Sequence, residues 1–210
     1  MKLVNLTVKE FIDTLASDSP APGGGSVSAL AGANGAGLII MSGELSFQKK
    51  KFKNLDEDIK KAFKEDINIF KKAKTDFLRY IDDDTQAFNK LMDAYRMPKS
   101  NDEDKEKRHQ AIQLATIETI RVPLKVCQLG IKLMRRVSQI MPYANKNTIS
   151  DQGVGVMMIH NAIHGSAMNV LINLSGMKDQ RLAAEYRATV ENIKKESDDL
   201  REILLDNIEL

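Results

Sequence analysis

The chain has one cysteine, no tryptophan and only 5% aromatic residues. With Cys127 alone, no intrachain disulfide can form, and its apolar neighbours Val126 and Leu129 mark it as an inert core residue. A core poor in rings must be built from aliphatic side chains, Met and Ala, which favours packed helices over a β-sandwich. There is also little excess charge. The 31 basic and 29 acidic residues leave +2, far from the concentrated basic field of a nucleic-acid binder. Residues 1–10 carry charges and no long apolar run, so no signal peptide is expected. No membrane partner, no nucleic-acid partner and a cytoplasmic location are the corresponding expectations.

What is present is helical periodicity over 210 residues, a length that fits one domain, 1–210. Thr7 and Glu10 form a capping box before Phe11, Ile12 and Leu15. Pro20 and Pro22 stop that helix by forcing the residues before them extended. From Ser26 to Leu45 nearly every residue is small or apolar, and Ser28, Gly32 and Ala36 recur at four-residue steps. Each glycine there weakens an isolated helix by roughly 1 kcal/mol, which close burial against neighbours can recover. Asn34, Ser42 and Glu44 make the segment a poor membrane span. A long helix is expected over about 55–95, another over about 103–141, a second small-residue helix over about 153–174 and a last one from 179 towards 207. Pro123 should kink or divide its helix. Ser150 or Asp151 can cap the helix that follows. The expected fold class is all-α: a single-domain bundle of long antiparallel helices with buried small-residue helices inside, dimeric through its surplus of apolar surface.

Five places can carry chemistry. Phe77, Ile81, Asp84, Phe88, Leu91 and Tyr95 follow in steps of four, three, four, three and four. Asp84 therefore shares the face of an apolar seam, while Asp82 and Asp83 are turned roughly 200° and 100° away, towards solvent or the seam's edge. A carboxylate in a seam is costly unless paired, protonated or working. It either caps or pairs with a Lys or Arg, or it has a function. The run Pro22, Gly23, Gly24, Gly25, Ser26 precedes a helix, where backbone amides can approach an anion. It lacks the Lys–Ser/Thr pair and the preceding strand of a nucleotide-binding P-loop, and a plain connector reads the same way. His160 and His164 are one turn apart, but Asn161 replaces the Glu of a zinc protease helix. No third ligand is evident nearby, so no metal is assigned; His160 can still line a pocket. Asn169 and Asn173, also one turn apart in an apolar helix, need hydrogen-bond partners, most simply across helices. Lys49, Lys50, Lys51 and Lys53 form either a solvated face or an attractor for a polyanion.

Four segments of the chain together resemble a known family. Ser19-Pro20-Ala21-Pro22-Gly23-Gly24-Gly25-Ser26 is similar to the opening signature of the formiminotransferase-cyclodeaminase family. Asp84-Thr85-Gln86-Ala87-Phe88 resembles its Asp-x-x-Ala-Phe segment. Asn145 to Val154 resembles its Asn-x-x-x-x-Ser-Asp-x-Gly-Val loop, and Asn169 to Leu174 its Asn-Val-x-Ile-Asn-Leu helix. All four stand in family order. The chain departs at Ser42-Gly43-Glu44-Leu45-Ser46, where a Val-Ala/Cys-Asn-Leu-Thr-type run is usual.

The resemblance implies an all-helical, at least dimeric enzyme with folate bound near a subunit interface. Asp84 matches the family's catalytic carboxylate. Pro22 to Ser26, Asn147, Ser150 and Asp151 become substrate-binding candidates, with Lys49 and Lys50 for a polyglutamate tail. No cofactor beyond the tetrahydrofolate substrate is implied. The implied reaction is that of a formiminotetrahydrofolate cyclodeaminase, which forms 5,10-methenyltetrahydrofolate and releases ammonia. The alternatives are a methenyltetrahydrofolate cyclohydrolase, giving 10-formyltetrahydrofolate, and a helical protein that binds folate without turnover.

Overall fold

The computed structural model describes residues 2–208, and among these it is helical throughout, with no strand. In chain order the helices are α1 (Val8–Leu15), α2 (Gly24–Phe47), the single turn α3 (Lys50–Lys53), α4 (Glu57–Arg96), α5 (Asp102–Ile140), α6 (Ile149–Asn173) and α7 (Gln180–Asp206). The expected Thr7–Glu10 capping box is in place at α1. Asn101 caps α5 through the Asp104 amide, and Asp179 caps α7 through the Leu182 amide.

α2 is the centre of the bundle. It has the length and mean hydropathy, 1.3, of a membrane span, and half of that window is buried inside the fold. α6 lies antiparallel along it. Gly24 meets Asn169, Ser28 meets Gly165, Gly35 meets Gly155, and the Ser42 and Thr148 hydroxyls bond at 2.7 Å. On its other buried side α2 runs antiparallel to α4, with Gly25 at Asp84 and Gly43 at Ile67. The glycines are there for this approach. A Cβ on Gly35 would stand 2.7 Å from the Gly155 carbonyl oxygen. α5 covers α4 and α6, and α7 packs against α6 and α5 (Arg135 of α5 reaches Glu196 of α7 at 2.7 Å). Arg136 pairs with Asp66 between α5 and α4.

Three expectations are corrected. α6 starts at Ile149, so Ser150 and Asp151 sit in its first turn rather than capping it. Asp82 does not face solvent: it is buried, and its Oδ1 accepts the Leu3 amide at 2.6 Å. At the far end of the α4 seam Ala94 is buried while Tyr95 is 47% exposed. A straight helix drifts by about 20° per heptad from a 3.5-residue pattern, so the buried stripe slides off Tyr95 over the length of α4.

Pro123 neither divides α5 nor leaves a gap in its hydrogen bonding. The helix is continuous around it. Proline has no amide hydrogen, which orphans the carbonyl four residues back, that of Thr119. The Asn173 side-chain amide donates to that carbonyl at 3.0 Å. Asn173→Leu should therefore destabilise the fold by about 1–3 kcal/mol, lowering Tm by roughly 2–4 °C per kcal/mol for a chain of this size. Adding Pro123→Ala to that variant should restore part of the loss by returning an amide. Equal Tm values for the parent and Asn173→Leu in a thermal melt would refute the assignment.

Candidate active site

The residues that touch Asp84 come from the first turn of α2. Gly23 takes the capping position with no side chain to cap with, so the first amides of α2 need an acceptor from elsewhere. Asp84 of α4 is brought against them by the seam phase. Its Oδ2 lies 3.2 Å from Ser26 Oγ. Ser26 is fully buried, and its hydroxyl donates to the Ile81 carbonyl at 2.8 Å, with Thr85 Oγ1 at 3.2 Å. The Ser26 backbone amide also favours the charged carboxylate.

Gly25 makes the contact possible. A Cβ there would fall 2.1 Å from Asp84 Oδ1. Gly24 and Gly25 are thus helix residues, and helix α2 begins two residues earlier than the sequence pattern indicated. The anion expected at this helix start is, within one chain, the Asp84 carboxylate itself, favoured by the positive end of the helix dipole.

No Lys or Arg lies within ion-pair distance of Asp84 among the described residues. Burial raises its pKa above the ordinary 3.8, and hydrogen bonds from the Ser26 hydroxyl and amide pull the other way without winning. The carboxyl is partly buried rather than sealed. A group so placed can hold or release a proton nearer neutrality than an ordinary aspartate. Cys127 offers no competing nucleophile: it is fully buried, and burial pushes its thiol up to about 12.

The other candidates divide. Pro22 is buried just ahead of α2, beside Gly23, Gly24, Gly25 and Ser26. Asn169 meets Gly24 and donates to the Gly165 carbonyl at 2.8 Å. Lys49, Lys50 and Asn147 instead meet at the opposite end of α2, about 35 Å away at 1.5 Å per residue. There Lys49, Lys50, Lys51, Asn145, Lys146 and Asn147 line a cavity of about 290 Å³. The Asn145 amide is tied to Ser46 Oγ at 2.7 Å. Ser150 and Asp151 are at this end too, on the first turn of α6 and outside the cavity lining. One chain does not gather the predicted substrate residues into one place. Antiparallel packing of α2 and α6 separates them.

The fold and the Asp84 site define a helical bundle with a partly buried carboxylate, without an ion pair among the described residues, on a glycine-opened helix start. The family profile described as formiminotransferase-cyclodeaminase matches residues 7–192, and the chain belongs to that family. It is 32% identical to the methenyltetrahydrofolate cyclohydrolase of Methylorubrum extorquens, over 97% of this chain and 96% of that protein. It is 35% identical to the formimidoyltransferase-cyclodeaminase of Dictyostelium discoideum, covering 96% of this chain but 36% of that one. The crystal structure of formiminotetrahydrofolate cyclodeaminase from Thermotoga maritima superposes with a TM-score of 0.77 at 25% identity, over 97% of this chain and all of that one. The relatives' names are those of enzymes of folate one-carbon chemistry.

The raised pKa has a direction that stability can read. A carboxyl whose folded pKa is raised contributes fully below its unfolded value and loses that contribution as pH rises through the folded value. Wild type should therefore lose stability relative to Asp84→Asn as pH rises above 3.8, with a constant gap once Asp84 is fully ionised. Denaturant unfolding of both proteins below that pH and at neutrality checks it. Wild type holding or gaining stability relative to Asp84→Asn as pH rises would contradict the burial-dominated shift.

Proposed function

We propose that the protein is a formiminotetrahydrofolate cyclodeaminase in which Asp84 moves the proton. The observation that carries this reading is the placement of Asp84: pressed onto the first turn of α2, partly buried, and without a cationic partner among the described residues. In the reaction N10 of the substrate attacks the carbon of the protonated N5-formimino group. The N10–H proton goes to Asp84 and from there to the departing nitrogen. The C–N bond to that nitrogen breaks, ammonia leaves, and the N5–CH–N10 methenyl bridge keeps the positive charge. A carboxyl of raised pKa suits both halves, since it must take a proton and then give it up. Gly25 keeps it aimed, and Pro22 to Gly24 bound the reacting head group.

A second reading is favoured by the full-length likeness to the Methylorubrum protein. In a methenyltetrahydrofolate cyclohydrolase, Asp84 would take a proton from water attacking the same carbon and pass it to N5 as the C–N5 bond breaks and the ring opens to the 10-formyl form, while the second proton of the water leaves to solvent with the charge of the methenyl bridge. Ammonia release from the formimino substrate, set beside loss of methenyl absorbance, ranks the two activities. Under both readings Asp84→Asn should stay folded and lose about 10²-fold or more in turnover. Near-normal turnover in folded Asp84→Asn would refute the role of Asp84. Turnover of neither substrate by wild type would leave folate binding alone.

The separation of the candidate residues supports a homodimer. α2 and α6 lie side by side, and their outer faces expose Met41, Leu45, Val154, Met157, Met168 and Ile172, an apolar surface of the kind that partners cover. A two-fold axis across the middle of this face would run the two copies of α2 antiparallel. It would set the Lys49–Asn147 end of one copy beside the Asp84 end of the other, where the lysines could hold a polyglutamate tail. Light scattering should give twice the chain's 23.5 kDa, and Met157→Glu should produce inactive monomer. A fully active wild-type monomer would rule the arrangement out.

A further inference from the structure

His160 and His164 occupy one face of α6, and Asp198 of α7 meets them there. One donor atom from each lies within 4.8 Å of the others. Asp198 Oδ1 is 3.7 Å from His160 Nε2 and 3.1 Å from His164 Nε2. Donor atoms held on a tetrahedral zinc ion, at metal–ligand distances of about 2.0–2.1 Å, stand roughly 3.3 Å apart, and the two measured separations fall on either side of that. The rings of the two histidines are 4.3 Å apart, centre to centre.

Two further observations bear on what the cluster holds. His160 Nδ1 is bonded to Ser197 Oγ at 3.0 Å. That fixes the ring and leaves Nε2 towards Asp198, as the outer hydrogen bond of a metal-bound histidine does. His164 Nε2 is buried and makes no hydrogen bond, since its approach to Asp198 lacks the required alignment. A buried imidazole nitrogen without a partner is costly, and a metal ion would satisfy it.

We infer that His160, His164 and Asp198 form a zinc site that staples α6 to α7. Asp198 is half exposed, which leaves an entry path and room for water as the fourth ligand. The site is distinct from Asp84, and neither the cyclodeaminase nor the cyclohydrolase reaction calls on it.

The test is zinc chloride added to chelator-stripped protein, followed by calorimetry, with cobalt(II) absorption as a second readout of a site containing two imidazoles. We expect one zinc per chain and a rise in Tm on binding. His164→Gln and Asp198→Asn replace partly exposed side chains and should each weaken zinc binding by at least about tenfold. His109→Gln, which alters the third histidine of the chain, should leave it unchanged. Binding weaker than about 100 µM in wild type, or equal affinity in wild type, His164→Gln and Asp198→Asn, would overturn the proposal.

Discussion

How near α2 can lie to its neighbours decides the rest of the structure. Two helices press on it along most of its length, and at Gly35 the gap to the Gly155 carbonyl leaves no room for a methyl group. The same closeness at Gly25 admits the Asp84 carboxylate to a helix start that has no cap of its own. The carboxylate supplies the missing acceptor for the first turn of α2 and is itself partly stripped of water by the approach. Structural need and the proposed chemical use thus fall on one group. The capping reading and the functional reading of a seam carboxylate describe the same contact.

Asp84 was legible in the sequence because helical phase is a local property. Its place seven residues after Phe77 and four before Phe88 fixes its direction without knowledge of any partner. The reason for Gly25 was not legible, because it depends on which atom of another helix arrives there. The grouping of Lys49, Lys50 and Asn147 away from Pro22 to Ser26 was hidden for a similar reason: chain order places the lysines soon after the glycines, and only the length and straightness of α2 carry them to the other end. Asp82 was misread since its partner, the Leu3 amide, belongs to a segment with no periodicity to betray it.

The two asparagines of α6 show the same division. Their polarity in an apolar helix announced a need for partners. Asn173 finds the carbonyl that Pro123 orphans, and the missing amide of a proline is a signal the sequence does carry, once the two helices are known to touch. Asn169 packs on Gly24, at the active end of α2. The histidine pair gave half of a cluster whose other half, Asp198, depends on the register of α7 against α6 and could not be read from spacing.

The central claim is that Asp84 keeps its proton to a higher pH than an ordinary aspartate because burial at the α2 start outweighs its hydrogen bonds. Its titration by carboxyl-carbon NMR, assigned by difference from Asp84→Asn, measures this directly. We expect an apparent pKa above 3.8 for the resonance lost in the variant. A value at or below that would mean that the amides of α2 win over burial, and would leave Asp84 a helix cap without the proton chemistry proposed for it.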